Sequence, residues 1–332
     1  YKERYLALPG SQSRIDFAVT RGWNFPDQTV IVKSFALDLI EGDPRSRRWI
    51  ETRLLTRQGG QWAGYSYLWN DQQTEATLVE APGTNREFSI QEATGSRRQT
   101  WHFPSRAECM MCHSRAANFV LGLSTVQMNK IHDYPGAPDN QLRTLEHLGL
   151  FRVDWRGEAI QALREEARGR GLSGPEVDAE VRRRSDPPFP REPRSSSLLA
   201  LPPEKYGRLA NPYDSSQALE PRARAYLHAN CAICHVESGG GNAALELETS
   251  TPQGRMNLVG HPPLHDSFGI PGAKLIDPGH PERSILLERM GRRGTGQMPP
   301  LATARVDLQA IQMLRDWITQ LSLSPEATSP RR

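Results

Sequence analysis

The sequence predicts an α+β protein in which an antiparallel β-rich N-terminal domain precedes an all-α C-terminal domain. Three observations carry this. Residues 1 to about 105 hold about six short runs rich in β-branched and aromatic residues, joined by connections short enough for antiparallel pairing. Beyond Pro104 the apolar residues recur every three or four positions, the spacing of helix faces. Between Asp186 and Pro221 the chain carries eight prolines and the run Ser195-Ser196-Ser197, which reads as an extended linker. A chain of 332 residues is also long for one core. The expected division is 1–185, a linker over 186–220, and 221–332.

The expected strands are 29–37 (TVIVKSFAL), 49–55 (WIETRLL), 62–69 (WAGYSYLW), 76–79 (ATLV), 86–90 (REFSI) and 99–103 (QTWHF), with Gly59-Gly60 as a turn. Pro104 stops the last of them. Ser105 and Glu108 then have capping-box spacing, so a helix is launched directly from the sheet. Residues 141–151 and 157–170 have helical spacing, and residues 173–176 (SGPE) cap a further short polar helix.

The helix behind Ser105 carries Cys109-Met110-Met111-Cys112-His113. The pattern returns as Cys231-Ala232-Ile233-Cys234-His235 at the end of residues 222–235 (RARAYLHANCAICH), and the two pentapeptides use all four cysteines. In a Cys-x-x-Cys-His segment two thiols add to the vinyl groups of a haem and the histidine reaches the iron. A four-thiolate zinc ribbon competes, but its pairs usually lie about 15–20 residues apart, far closer than Cys109 and Cys231. Disulfide exchange needs no histidine. With nine histidines in 332 residues, the chance of one following each pair is below about one in a thousand. Two covalently attached haem c groups are therefore expected. Cys109, Cys112, Cys231 and Cys234 would attach them, and His113 and His235 would be the proximal iron ligands. The hydrophobic content of 37% is low for a globular chain, and two porphyrins would supply part of the core.

In the C-terminal domain Gly239-Gly240-Gly241 reads as a flexible turn, and a Gly/Pro-rich region runs to about Gly279. Pro281 opens a helix over 282–290. Leu308, Ile311, Leu314, Ile318 and Leu321 make one apolar stripe on a terminal helix, and residues 325–332 read as a frayed tail. A first helix with the haem motif, a methionine loop and a last helix crossing the first make a cytochrome c domain. Met298, stiffened by the two prolines after it, is the expected distal ligand of the second haem, with Met256 and His261 as alternatives. The competing reading of Met298 is core packing. Histidine/methionine ligation raises the reduction potential and leaves no open position, so this haem should carry electrons. No such loop follows His113. There the alternatives are an open, five-coordinate iron or ligation by His132, His147, Met128 or His102.

The 41 basic and 38 acidic residues are mixed along the chain for a net charge of +3, so no nucleic-acid stripe is indicated. Arg182-Arg183-Arg184, at the end of a polar helix, reads as solvated. No transmembrane segment is visible, and Tyr1-Lys2-Glu3-Arg4 reads as the start of a processed protein. Haem attachment by this motif follows export, so a periplasmic or otherwise exported location is expected.

Residues 104–108 (PSRAE) before CMMCH, 117–123 (ANFVLGL), RARAYLHANCAICH, 281–284 (PERS) and 296–303 (GQMPPLAT) together resemble a little-characterised family of two-haem c-type cytochromes. The resemblance spans nearly the whole chain. That family is often associated with quinoprotein sugar dehydrogenases, which the resemblance implies as electron donors. The C-terminal part alone is similar to small cytochrome c domains. The N-terminal part more weakly resembles cytochrome c-prime-beta and its lysine-cross-linked relatives, through TVIVKSF, GYSYLW and the position of CMMCH after the last strand. In those relatives a strand lysine bonds to the porphyrin and hydroxylamine is oxidised; Lys33 is the nearest match, and a solvated edge lysine is its plainer reading.

The expected function is single-electron transfer between a periplasmic redox partner and a downstream acceptor, an electron carrier rather than an enzyme. The alternatives are a haem redox enzyme, peroxidase-like or converting hydroxylamine or nitrogen oxides, and a gas-binding protein with a small ligand on an open first iron.

Overall fold

The computed structural model describes residues 1–185, 195–237 and 239–321. Its strands and helices begin with β1 (Lys2–Ala7), β2 (Ile15–Asp16), β3 (Val30–Asp38), β4 (Arg47–Gln58), β5 (Gln61–Trp69), β6 (Ala76–Leu78), β7 (Thr84–Glu92) and β8 (Gly95–Phe103). Then come α1 (Arg106–Cys112), α2 (Thr125–Met128), β9 (Ile131–Tyr134), β10 (Ala137–Asn140), α3 (Gln141–His147) and β11 (Phe151–Asp154). The last are α4 (Trp155–Gly169), α5 (Gly174–Ser185), β12 (Ser195–Ser196), α6 (Leu219–Asn230), α7 (Ile285–Gly291) and α8 (Leu308–Gln320). The protein is thus mixed, β-rich and antiparallel at first, with most of its helices later. No helix among the described residues is long and apolar enough to cross a membrane.

Contacts group the chain into two compact units. One holds Tyr1–Ala7, Val30–Phe119 and the described residues from Leu209 onward; the other holds Leu8–Thr29 and Val120–Arg208. Residues of the span 1–185 fall in both units, and the described residues from 221 onward fall in the first. Both Cys-x-x-Cys-His motifs fall in the first.

In the first unit an antiparallel five-stranded sheet has the order β1-β3-β4-β5-β6, and β7 pairs with β8 as a separate hairpin. All six runs expected as strands pair. β1 (KERYLA) was not expected, because the consecutive charges Lys2, Glu3 and Arg4 hide its period. It pairs along β3 from Lys2 opposite Phe35 to Ala7 opposite Val30, and charges suit an edge strand. Pairing puts Lys33 opposite Arg53 and Arg53 opposite Ser66. Since side chains alternate faces, Lys33, Glu51, Arg53, Gly64 and Ser66 share one face. Trp101 of β8 lies edge-on to Phe35, with centroids 5.6 Å apart.

From Leu209 onward the described elements are α6, α7, α8, short 3-10 turns and isolated bridges. α6 packs on α8, and Leu227, Leu258, Ile276 and Leu314 are almost wholly buried between and around them. The helix expected over 282–290 starts late. The Ser284 hydroxyl donates to the His280 carbonyl (3.1 Å) and accepts from Asp277 N–H (2.9 Å), so Pro281–Arg283 forms a 3-10 turn and α7 follows it. The expected tail over 325–332 lies outside the described residues.

In the second unit β11 lies between β2, parallel to it, and β12, antiparallel. Phe17, Trp23, Phe151 and Tyr206 form an aromatic cluster, with Trp23 and Phe151 at 5.1 Å. The β9–β10 hairpin is polar on both strands, which is why no alternation announced it. Part of the expected linker is docked within this unit. Asn129 Nδ2 donates to the carbonyls of Pro203 (2.8 Å) and Tyr206 (3.0 Å), while residues 186–194 lie outside the described residues.

Candidate functional site

Local chemistry builds the first motif. The Ser105 hydroxyl accepts from Glu108 N–H (3.1 Å) and the Glu108 carboxylate accepts from Ser105 N–H (2.8 Å), completing the capping box at the start of α1. Arg106 N–H donates to Ala81 (3.1 Å) and stands its guanidinium over Tyr65. α1 lies on β5, and Gly64 makes this approach feasible, because a Cβ there would stand 2.6 Å from Cys109 Cβ and 2.9 Å from its Sγ. Behind the helix, Asn118 and Phe119 adopt left-handed backbone (φ 52° and 60°), and His113 Nδ1–H donates to the Phe119 carbonyl at 2.6 Å. That bond fixes the tautomer and leaves Nε2 as the lone-pair nitrogen. Burial lowers the His113 pKa, opposed by the carbonyl and reinforced by Lys33 and Arg53, which favours the neutral form that a metal ligand needs.

The sheet face beside this histidine is charged. Glu51 is completely buried and accepts from Arg53 Nε (2.7 Å) and Nη2 (2.8 Å), Ser66 Oγ (2.5 Å) and Trp101 Nε1 (2.9 Å). Lys33, with its ammonium 5.0 Å from the Phe35 ring centroid, is brought down from 10.5 to about 8, first by burial and then by Lys2, Arg4 and Arg53, against Glu51. It is not a solvated edge lysine. Between pH about 8 and 10.5 the folded chain holds fewer protons on Lys33 than the unfolded chain, so stability rises with pH there, and the full cost is present below it. Lys33→Met is accordingly expected to stabilise the protein at pH 7 by on the order of 2–3 kcal/mol, an advantage that disappears above pH 10.5. Urea titrations at pH 7 and 10.5 check it.

α6 is fastened before it reaches the second motif. The half-buried Arg224 guanidinium donates to the carbonyls of Glu248 (3.2 Å), Thr249 (3.0 Å) and Thr251, and meets Met256 Sδ. The chain then coils, with Cys234 and His235 N–H both donating to the Cys231 carbonyl (3.1 and 2.9 Å) and Leu247 N–H donating to that of His235 (2.9 Å). Burial pushes the Cys231 thiol up to about 12. His235 is lowered by burial, and its Nδ1 is buried without a hydrogen bond of ordinary geometry, although the Ala243 backbone partly opposes the shift.

Gly239 and Gly241 have a tighter task than the flexible turn read from the sequence. A Cβ at Gly239 would stand 2.1 Å from the Cys234 carbonyl oxygen, and one at Gly241 would stand 2.6 Å from His235 Nδ1. Gly240 has open space around it. Gly241→Ala is expected to cost about 1–3 kcal/mol by overpacking and to displace the imidazole, whereas Gly240→Ala should be near neutral. Urea midpoints of the two variants check this.

The Met298 loop is held by its own polar contacts. Met298 N–H donates to the Arg289 carbonyl (3.0 Å), Gln297 Nε2 to that of Pro299 (3.0 Å), and Arg289 Nη1 to that of Gly296 (3.1 Å). Met298 is half-buried, while the alternative Met256 is a core side chain with its sulfur on Arg224, and His261 is exposed. Of the candidates beside the first motif, His102 is exposed with both ring nitrogens engaged, by Asn85 Oδ1 (2.7 Å) and Glu108 Oε2 (3.0 Å). Met128, His132 and His147 belong to the second unit, the two histidines exposed.

All four cysteines are free thiols. Among the described residues no three His, Cys, Asp or Glu side chains converge to hold a metal ion. Each motif thus offers two thiols and an imidazole, a donor set suited to covalent haem attachment. Gly64 and Gly241, which the motif pattern does not include, are the residues sequence reasoning missed; strand and turn glycines as such carry no signal of what packs on them. Comparison with family models, curated proteins and solved structures gave no match.

Proposed function

We propose that this chain is an exported two-haem c-type cytochrome that passes single electrons between a periplasmic redox partner and a downstream acceptor. The observation that carries it is the His113 imidazole, anchored through Nδ1 to the Phe119 carbonyl at the end of a capped helix that also carries Cys109 and Cys112. Bound haem supplies a one-electron iron couple. Cys109 and Cys112 would hold one haem and Cys231 and Cys234 the other, with His113 and His235 as proximal ligands and Met298 as the distal ligand at the second. Residues 221–332 would form the cytochrome c domain, its first and last helices being α6 and α8. A quinoprotein dehydrogenase is the donor class that the sequence resemblance suggests.

The test is haem quantification with oxidised, reduced and carbon monoxide spectra. Two haems per chain are expected, and a colourless protein would sink the proposal. Met298→Ala is expected to keep both haems, to make the second high-spin and to lower its potential by on the order of 100 mV, a modest part of the roughly 0.8 V that axial ligands span. An unchanged redox titration would remove Met298 as ligand.

A second reading has support from one observation. The desolvated Lys33, Arg53 and Glu51 beside His113 would suit a small polar ligand on an open first iron, as in a redox enzyme or a gas-binding protein. Carbon monoxide binding to half of the haem would favour it.

A further inference from the structure

The two motifs are far apart in the chain and adjacent in space. Cys234 Sγ lies 3.9 Å from the Met111 carbonyl oxygen, across 123 residues of sequence. Cys112 follows Met111 directly at the end of α1, and its side chain comes within interaction range of the same Cys234 sulfur. These contacts come from different atoms of α1, one backbone and one side chain, and both end on the same sulfur. In each motif the second cysteine precedes the histidine, so each of these sulfurs is one of the two expected haem attachment points.

We propose that Cys112 and Cys234 bring the two haem attachment edges together, so that the haems attached there are close enough to couple electronically within one chain. The proposal rests on the two-haem reading above. Cys109 and Cys231 take no part in the contact: Cys109 turns to Gly64 of β5, and Cys231 packs against the core around α6 and α8. The geometry therefore assigns the inner edge of each site to its second cysteine and the outer one to its first. Fusing the motifs into one compact unit makes internal exchange between the haems independent of any encounter with a second protein.

The test uses the intact holoprotein. Circular dichroism in the Soret region should show a bisignate couplet in the fully oxidised state, weakening in the half-reduced protein as the two bands move apart. Electron paramagnetic resonance of the oxidised protein should show signals broadened by the second iron, sharpening when that iron is reduced. Two haems per chain with a Soret spectrum equal to the sum of two single-signed bands, and unbroadened resonances, overturn this inference alone. Fewer than two haems per chain overturn it together with the reading beneath it.

Discussion

Replacing Cys231 and Cys234 together by alanine is expected to halve the covalently bound haem, from two to one per chain. Each attachment needs its own pair of sulfurs, and His235 alone holds iron by one exchangeable bond. Alanine suits both sites, since Cys231 packs at the edge of the core, where a serine hydroxyl would be buried without a partner. The complementary pair Cys109→Ala and Cys112→Ala should remove the other half, leaving the low-spin, high-potential spectrum assigned to the Met298 site. Haem quantification and intact mass check both variants. Retention of two covalent haems in either would show that the pairs do not act as attachment sites.

Glu51→Ala is expected to lose about 3 kcal/mol or more of stability, in the range for breaking a buried ion pair. Its carboxylate is fully buried and satisfies Arg53 of its own strand, Ser66 of β5 and Trp101 of the β7–β8 hairpin. Truncation strands the Trp101 N–H and leaves Arg53 beside Lys33 without its counter-charge. The Arg53 side chain is 28% exposed, so water recovers part of that cost and the lower end of the range applies. Glu51→Gln keeps an acceptor for Trp101 or Ser66 and should cost less. Urea unfolding at pH 7 gives both values, and a loss under about 1 kcal/mol for Glu51→Ala would mean that the cluster contributes little.

What was legible in the sequence was local. The six strand runs, the Ser105–Glu108 cap, the part of the α8 stripe from Ile311 to Ile318 and the two pentapeptides all rest on spacings of a few residues, where chain geometry alone dictates which side chains meet, whereas Leu308 at the start of the stripe is exposed. Where polar residues masked the period, as in β1 and in the β9–β10 hairpin, pairing partners elsewhere in the chain decided the strand. The late start of α7 turned on the Ser284 hydroxyl, whose partners at Asp277 and His280 compete with the helix that Pro281 would otherwise begin.

By itself the sequence determined the chemistry available, namely four thiols in two motifs each closed by a histidine, a methionine before two prolines, and a β-rich part preceding the first motif. Only the tertiary structure decided that Gly64 and Gly241 are contact points, that Lys33 is a desolvated cation beside Glu51 and Arg53, and that Cys112 meets Cys234. The reason is physical. Ligand spacing within a turn follows from backbone geometry, whereas approach across 123 residues depends on how sheet and helices pack, and no local pattern encodes that packing.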